Sequence, residues 1–156
     1  MEVYMRHYNN KAFTLVELIV TVAVLAIIAV MAAPSFATTY ARQKLESATR
    51  ELVTKISEAR NQAVSLRNTT GVCLSTLSEA NCSTVLAIND TYKNRIYTVA
   101  LENGISVGNH SATNIKFRNN GSIAATTNFA LTKNNLSYCI NVGITGDTTI
   151  KEGACP

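Results

Sequence analysis

The sequence predicts an α+β protein in which one long N-terminal helix packs against a C-terminal head made of antiparallel β-sheet. Three observations lead to this fold class. An almost uninterrupted apolar run occupies residues 13–37, an amphipathic helical pattern follows over residues 38–67, and short β-branched and aromatic segments between turn residues fill residues 68–156. We therefore divide the chain into a leader (1–12), two halves of the helix, and the head (68–156).

The apolar run is long enough to cross a membrane as a helix. It contains 25 residues, and Glu17 is its only charged residue. At about 1.5 Å per residue such a helix covers about 37 Å, against about 30 Å for a hydrocarbon core. The tail before it carries Arg6, His7 and Lys11 against one acidic residue, so the tail should stay cytoplasmic and the head should be exported.

Glu17 distinguishes this run from a secretory signal and from a plain membrane anchor. A secretory signal has an apolar stretch of about 7–15 residues and then a cleavage site, which Ser35-Phe36-Ala37 could supply, but the run here is longer. A carboxylate at the centre of a membrane helix costs about 2.5–3.5 kcal/mol, so it needs a function and a partner. Cleavage just before Phe13 would create an α-amine within one helical turn of Glu17, which could be the partner of its carboxylate. In an assembly the amine could equally come from a neighbouring chain.

The segment "KAFTLVEL" (11–18) resembles the start of type IV pilins and type II secretion pseudopilins, in which a basic leader and a small residue precede Phe-Thr-Leu-x-Glu. The resemblance implies cleavage between Ala12 and Phe13 by a prepilin peptidase, N-methylation of Phe13, and retention of the apolar helix. In these families the glutamate matched by Glu17 pairs with the N-terminal amine of an adjacent subunit. Snorkelling of Glu17 to the lipid headgroups also accounts for its position, but not for the whole motif.

The second half of the helix has one apolar stripe, which predicts that it completes the core of the head. The stripe has the 3,4 spacing of a helix face and consists of Leu45, Ala48, Leu52, Ile56, Ala59, Ala63 and Leu66. Between the two halves, Pro34 lies where pilins usually have a helix-breaking proline. It has no amide to donate to the carbonyl of Val30, so we expect a kink there.

The head is predicted to consist of six short strands joined by hairpin turns. The turns are indicated by Asn103-Gly104, Asn120-Gly121, Asn134-Asn135 and Thr145-Gly146. The strands are expected at residues 71–76, 94–101, 114–120, 127–132, 137–142 and 147–152.

The four cysteines predict two disulfides in an oxidising compartment. Cys73 and Cys82 are nine residues apart and Cys139 and Cys155 are sixteen apart, so two local bridges are the simplest of the three pairings. Zinc binding is disfavoured because there is no C-x-x-C and removal of the leader would leave His110 as the only histidine. His110 also has no evident nucleophile or acid partner, so we expect neither an enzyme nor a bound metal or cofactor.

Within this superfamily the head resembles the H-type pseudopilins and the FimT and FimU minor pilins. The similarity lies in "LVTKISEARNQAVSLRN", "VCLS…NC" and "IKFRNNGSI…NFALT". It implies a minor pilin that helps to initiate or cap type IV pilus assembly. The implied partners are other minor pilins, the major pilin or pseudopilins, the prepilin peptidase, the inner-membrane assembly platform, and membrane lipid before assembly. The chain would be a single-pass protein of the bacterial inner membrane with a periplasmic head, later part of a pilus or pseudopilus.

Two alternative functions share these features, a minor pseudopilin of type II secretion and a DNA receptor for uptake. FimT-like proteins carry Gly-Arg-x-Arg near the C-terminal strands, where this chain has "TGDTT" (145–149), with an acid at Asp147. Residues 70–156 contain six basic and five acidic residues, a net charge of about +1. We expect duplex DNA to bind only weakly, at about 10⁻⁴ M or worse, through Arg118, Lys133 and Lys151.

Overall fold

The computed structural model describes residues 13–89 and 94–156, without the side chains of residues 32–35. The chain divides into two compact units, the first ending at Thr39 and the second comprising Tyr40–Pro156. Helix α1 (Leu15–Leu66) contributes to both units, and β-strands follow it. The predicted α+β fold, with a long N-terminal helix and β-sheets after it, is therefore confirmed.

The membrane span predicted from the sequence falls within α1. No described helix is by itself long and apolar enough to cross a membrane, whereas Leu15–Met31 and Phe36–Leu66 taken together meet that requirement by length and composition. Pro34 lies in the interval between the two pieces, where its side chain is outside the described part of the chain. The kink attributed to Pro34 stays a prediction.

In the second unit, α1 buries one stripe against the strands. Six of the seven predicted stripe residues are at most 4% exposed, namely Leu45, Ala48, Leu52, Ile56, Ala59 and Ala63. The seventh, Leu66, is 44% exposed because α1 ends there and Arg67 turns the chain with a φ of +48°. The Thr70 hydroxyl donates a buried hydrogen bond of 2.6 Å to the Ala59 carbonyl, which fixes the first strand against the helix.

The strands form two sheets rather than one. In chain order the elements after α1 are β1 (Thr70–Leu74), α2 (Glu79–Leu86), β2 (Ile96–Val99), β3 (Ser106–Val107), β4 (Asn114–Phe117), β5 (Thr127–Lys133), β6 (Leu136–Val142) and β7 (Thr148–Glu152). The first sheet has the order β2-β1-β4 and the second has the order β3-β5-β6-β7. Side chains from both sheets and from α1 share one hydrophobic core, with Phe117 and Phe129 as its largest members.

The first sheet is mixed, where the sequence predicted antiparallel pairing throughout. β1 pairs with β4 in antiparallel fashion and with β2 in parallel fashion. Parallel neighbours need a crossover connection, and α2 lies in that connection. The sequence analysis did not predict α2, a helix of eight residues. Its signal was Ser78, whose hydroxyl accepts a hydrogen bond from the Asn81 amide at the N-terminus of the helix.

The second sheet is antiparallel, as predicted. Its central hairpin joins β5 to β6 through Asn134-Asn135, and Asn134 has a φ of +53°. The other predicted turns place Gly104, Gly121 and Gly146 at positive φ. Strand β3 was not predicted because two residues are too few to show an alternating pattern.

The four cysteines form the two local disulfides, Cys73–Cys82 and Cys139–Cys155. The first bridge links β1 to α2 above a small cluster that includes Leu86 and Ile88. The second bridge holds the C-terminal residues beside β6. Each bridge therefore holds a segment at the margin of the head, either α2 or the C-terminal residues. These segments bury few side chains of their own.

Candidate functional site

The exposed apolar surface of the first unit is the most unusual feature of the described chain. Every described side chain from Phe13 to Met31 is exposed. Among the described residues, fourteen of the twenty exposed large hydrophobic side chains lie at or before Phe36, with exposures from 50% to 82%. A contiguous apolar surface of this kind on a folded chain marks a site of membrane or protein contact.

The start of α1 places Glu17 in the first helical turn. The Thr14 hydroxyl accepts a hydrogen bond of 3.2 Å from the Glu17 amide, and the Thr14 carbonyl accepts one of 3.2 Å from the Leu18 amide. Thr14 is thus the N-terminal cap of α1. The positive end of the helix dipole favours a carboxylate in this turn.

The Glu17 carboxylate has no ion-pair partner among the residues that the structure describes. It is exposed within the apolar surface, four residues from Phe13. Four residues of helix correspond to a rise of about 6 Å. A cation held near the start of α1 would therefore be within reach of Glu17.

The predicted cleavage site falls at the edge of the described chain. Phe13 is described and 82% exposed, whereas Ala12 and the rest of the leader lie outside the described residues. Cleavage between Ala12 and Phe13 and N-methylation of Phe13 stay predictions.

The three residues named for weak DNA contact do not form one cluster. The Ile123 amide donates to the Ile144 carbonyl at 2.9 Å, which places the segment after Arg118 beside the end of β6. Lys133 pairs with Leu136 at the other end of β6, about 20 Å away for seven strand residues. Its ammonium donates to the Asn103 carbonyl at 3.2 Å. Lys151 lies opposite Cys139, between those ends.

The loop that corresponds to the Gly-Arg-x-Arg motif is organised around a carboxylate. Asp147 accepts a hydrogen bond from the Thr145 hydroxyl, and the Gly143 amide donates to the Asp147 carbonyl at 2.9 Å. The Thr145 hydroxyl and the Asp147 backbone amide hold the pKa of the Asp147 carboxyl below its usual value, and Arg60 adds to this effect. The loop therefore presents a negative charge where phosphate recognition would need a positive one.

Arg60 is a residue of this region that the sequence patterns did not single out. A Cβ at Gly146 would lie 2.7 Å from Arg60 Cδ, and one at Gly121 would lie 3.3 Å from Arg60 Cγ. The arginine stem therefore packs against both turns. The only signals in the sequence were the turn glycines at 121 and 146, which say nothing about their contact with α1.

Ion pairs connect α1 to the head at its other end. Arg42 pairs with Glu152, and Lys44 pairs with Glu102 at 2.8 Å. Lys44 holds the pKa of the Glu102 carboxyl below its usual value, and Glu102 raises the pKa of Lys44. These exposed pairs orient the helix and the head more than they stabilise them.

No group of three or more His, Cys, Asp or Glu residues in the described ranges could hold a metal ion. The structure offers instead an apolar helix surface with one carboxylate near its start, which suits noncovalent binding. Such a surface can bind lipid or pack against similar helices.

Two protein-family models match this chain, one in its N-terminal part and one over most of the second unit. Residues 7–33 match the prokaryotic N-terminal methylation motif, and residues 48–147 match the family of the type II transport protein GspH. A search of curated proteins and one of solved structures found no significant match. The two family matches cover most of the apolar run and most of the second unit.

Proposed function

This chain belongs to the family of the type II transport protein GspH, and we propose that it is a minor pilin that helps to initiate or cap the assembly of a type IV pilus. Family membership makes it a minor pilin or pseudopilin in general, and such proteins are structural subunits rather than enzymes. Its methylation motif and apolar helix are those of a membrane-anchored pilin. The role at the start of a pilus is the proposed part.

The observation that carries the proposal is the exposed apolar half of α1 with Glu17 in its first turn. Before assembly, this surface would be covered by lipid of the inner membrane, with the chain crossing once and the head in the periplasm. During assembly, the same surface would be covered by the apolar helices of other subunits. Both coverings keep the apolar side chains out of water, which is favourable by about 25 cal/mol per Å² relative to exposure to water.

The prepilin peptidase would cut between Ala12 and Phe13 and so create an α-amine at Phe13. N-methylation leaves this amine basic, and it can still pair with a carboxylate. Glu17 of one subunit would pair with the amine of its neighbour, because two opposite charges removed from water together are less costly than either alone. This pairing would fix the axial position of each new helix against other minor pilins and the major pilin.

A second candidate is a minor pseudopilin of type II secretion, which the description of the matched family favours. The membrane helix, the cleavage step and the Glu17 pairing would be the same. The difference lies in the assembly that the head joins and in the inner-membrane platform that drives it.

The test is a deletion strain complemented with the full-length chain, in which surface pili, secreted proteins and DNA uptake are measured in the same cells. We expect the deletion to lose its pili and wild-type complementation to restore them. Loss of secreted proteins with pili intact would contradict the pilus proposal and support the pseudopilin. Loss of uptake with normal pili would support a DNA receptor.

The same strain tests Glu17 with a matched control one turn along the helix. Glu17→Leu keeps the apolar surface and removes the charge, so we expect membrane insertion but no restoration of pili. Thr21→Leu makes a similar apolar change at an exposed position and should restore them. Intact-mass measurement of the mature chain should show loss of residues 1–12 and gain of one methyl group. Full piliation with Glu17→Leu would show that its carboxylate is not used.

A further inference from the structure

One end of the second unit combines basic and apolar side chains that nothing in the described chain covers. We call it the Arg118 surface, and it is formed by Arg60 and Val64 of α1, the turn Arg118–Gly121 and the loop Gly143–Asp147. The Arg60 stem contacts both segments at Gly121 and Gly146, and Val64 Cγ2 would lie 2.9 Å from a Cβ at Gly121. The Ile123 amide donates to the Ile144 carbonyl and joins the two segments directly. The surface is therefore a fixed part of the fold.

The charges of α1 are paired at one end and unpaired at this end. Four basic residues from Arg42 to Lys55 each have a carboxylate partner: Arg42 with Glu152, Lys44 with Glu102, Arg50 with Glu46 and Lys55 with Glu58. Among the described residues, Arg60 and Arg118 form no ion pair, and Arg60 Nε is buried with no hydrogen-bond partner. The carboxyl of Asp147 is the one acid within the surface, and it accepts from Thr145.

Apolar side chains accompany the unpaired arginines. Val64 is 50% exposed and Ile144 is 56% exposed, although both belong to segments that pack on the core. Exposed aliphatic side chains beside arginines are typical of the central part of protein–protein interfaces, where arginine is enriched and lysine is depleted.

We propose that the Arg118 surface docks the head of a neighbouring pilin-like subunit that presents carboxylates around an apolar side chain. The inference rests on the proposed function, and it adds the face of the head that recognises a partner. The charge complementarity argues for an acidic partner, because Arg118 forms no ion pair among the described residues, and the one carboxylate near Arg60, that of Asp147, accepts from Thr145 and forms no ion pair with Arg60. The exposed Val64 and Ile144 would supply the apolar contact.

A protein fits this surface better than a nucleic acid does. Phosphate recognition depends on several basic contacts, and interfaces with DNA are much more positive than interfaces with protein. Here Asp147 lies within the surface, and Val64 and Ile144 offer no partner to a phosphate. Lys133 is about 20 Å away, at the other end of β6, and cannot extend the basic area.

The test places a photocrosslinking amino acid at Ile144 of the full-length chain in the complemented deletion strain, with Ile150 as the matched control. Ile150 is 44% exposed on β7, so it is another isoleucine accessible to a crosslinker. We expect irradiation to join position 144 to a chain that carries its own N-terminal methylation motif, as identified by mass spectrometry, and position 150 to give little of this product.

Charge variants then test the arginine. Arg118→Glu should reduce the crosslinked product from position 144 about tenfold, as expected for loss of an interface arginine, whereas Arg118→Lys should largely preserve it. Lys116→Glu makes the same change in charge on β4, two residues away, and should have little effect. The amount and protease resistance of the mature chain identify any variant that fails to fold. In that case Ile144→Glu replaces the unfolded variant, with Ile150→Glu as its control. The measurement is then whether each variant restores piliation.

Equal products from positions 144 and 150, or no product from 144, would overturn the proposal, as would an equal loss with Lys116→Glu. A nuclease-sensitive product would overturn it in favour of nucleic acid. Piliation in the same cells separates this proposal from the one that it rests on. If the wild-type chain restores pili and position 144 gives no product, only the docking surface is wrong. If the deletion leaves piliation unchanged, the proposed function is wrong.

Discussion

The two halves of α1 are both rich in apolar residues, yet they expose them very differently. From Phe13 to Met31 every described side chain is exposed, whereas from Ala41 to Ala63 one stripe is buried and the other faces are mostly polar or charged. The second half finds its apolar partner in the sheets of its own chain. The first half has no such partner in the first unit, which is why its function must depend on lipid or on other subunits.

The comparison also explains why the charges are distributed as they are. In the second half, the four basic residues from Arg42 to Lys55 are paired with carboxylates on the exposed faces of the helix or on the head. In the first half, Glu17 is the only charged residue, and it has no partner among the described residues. An unpaired carboxylate in an apolar helix is consistent with a partner supplied by assembly.

The largest expected effect comes from a matched pair of leucines in the two halves. Leu52→Ala removes a fully buried side chain from the core, so we expect the free energy of unfolding to fall by about 4 kcal/mol. Leu25→Ala changes a side chain that is 65% exposed and should leave the unfolding of the head almost unchanged. Thermal unfolding of the full-length chain in detergent, followed by near-UV circular dichroism, measures both. Equal losses would contradict the division of α1 into two units.

The next effect concerns the margin of the head. Cys139→Ser with Cys155→Ser removes a bridge across sixteen residues, so we expect a loss of about 3 kcal/mol in the chain-entropy model. The same unfolding measurement gives the loss, and reduction of the wild-type chain should give a loss at least as large because it opens both bridges. A smaller loss on reduction would indicate that the reduced C-terminal segment is held by other contacts.

A smaller effect tests the contact between α1 and the two turns. Gly146→Ala places a Cβ at a φ of +79° and 2.7 Å from both Arg60 Cδ and the Gly121 carbonyl, so we expect a loss of about 2 kcal/mol. Gly153→Ala is the control, because its φ is +114° but no atom lies within 4 Å of the added Cβ. If both variants lose the same stability, the backbone conformation alone is responsible and the Arg60 contact contributes nothing.

The smallest effect is a dependence on pH. The pKa of the Glu102 carboxyl lies below its ordinary value of 4.5 because of Lys44, so the pair contributes stability above pH 4.5 that is lost as the pH falls through the lowered pKa. Glu102→Gln should flatten this part of the stability profile and change little at pH 7, since the pair is exposed. Denaturant unfolding between pH 3 and 7 compares the two chains. An unchanged profile would show that the ion pair does not form in solution.

Sequence patterns were most informative where the controlling interactions are local. The six buried positions of the stripe, from Leu45 to Ala63, follow from helical spacing alone. Gly104, Gly121 and Gly146 were identified as turn residues because positive φ is easily adopted only by glycine and a few others. The cysteine spacing favoured the two local bridges, although three pairings remained open until the structure showed which side chains meet.

The sequence by itself determined that one half of α1 is apolar on all sides and the other half is amphipathic, because that difference follows directly from the order of residues along a single helix. It also determined the motif around Phe13 and Glu17 that led to the family. Only the tertiary structure decided that β1 and β2 are parallel, that Leu66 is exposed at the end of α1, and that Arg60 lies against two turns more than sixty residues away. Such contacts join segments far apart in sequence, and their formation depends on how the whole chain closes its loops and fills one core.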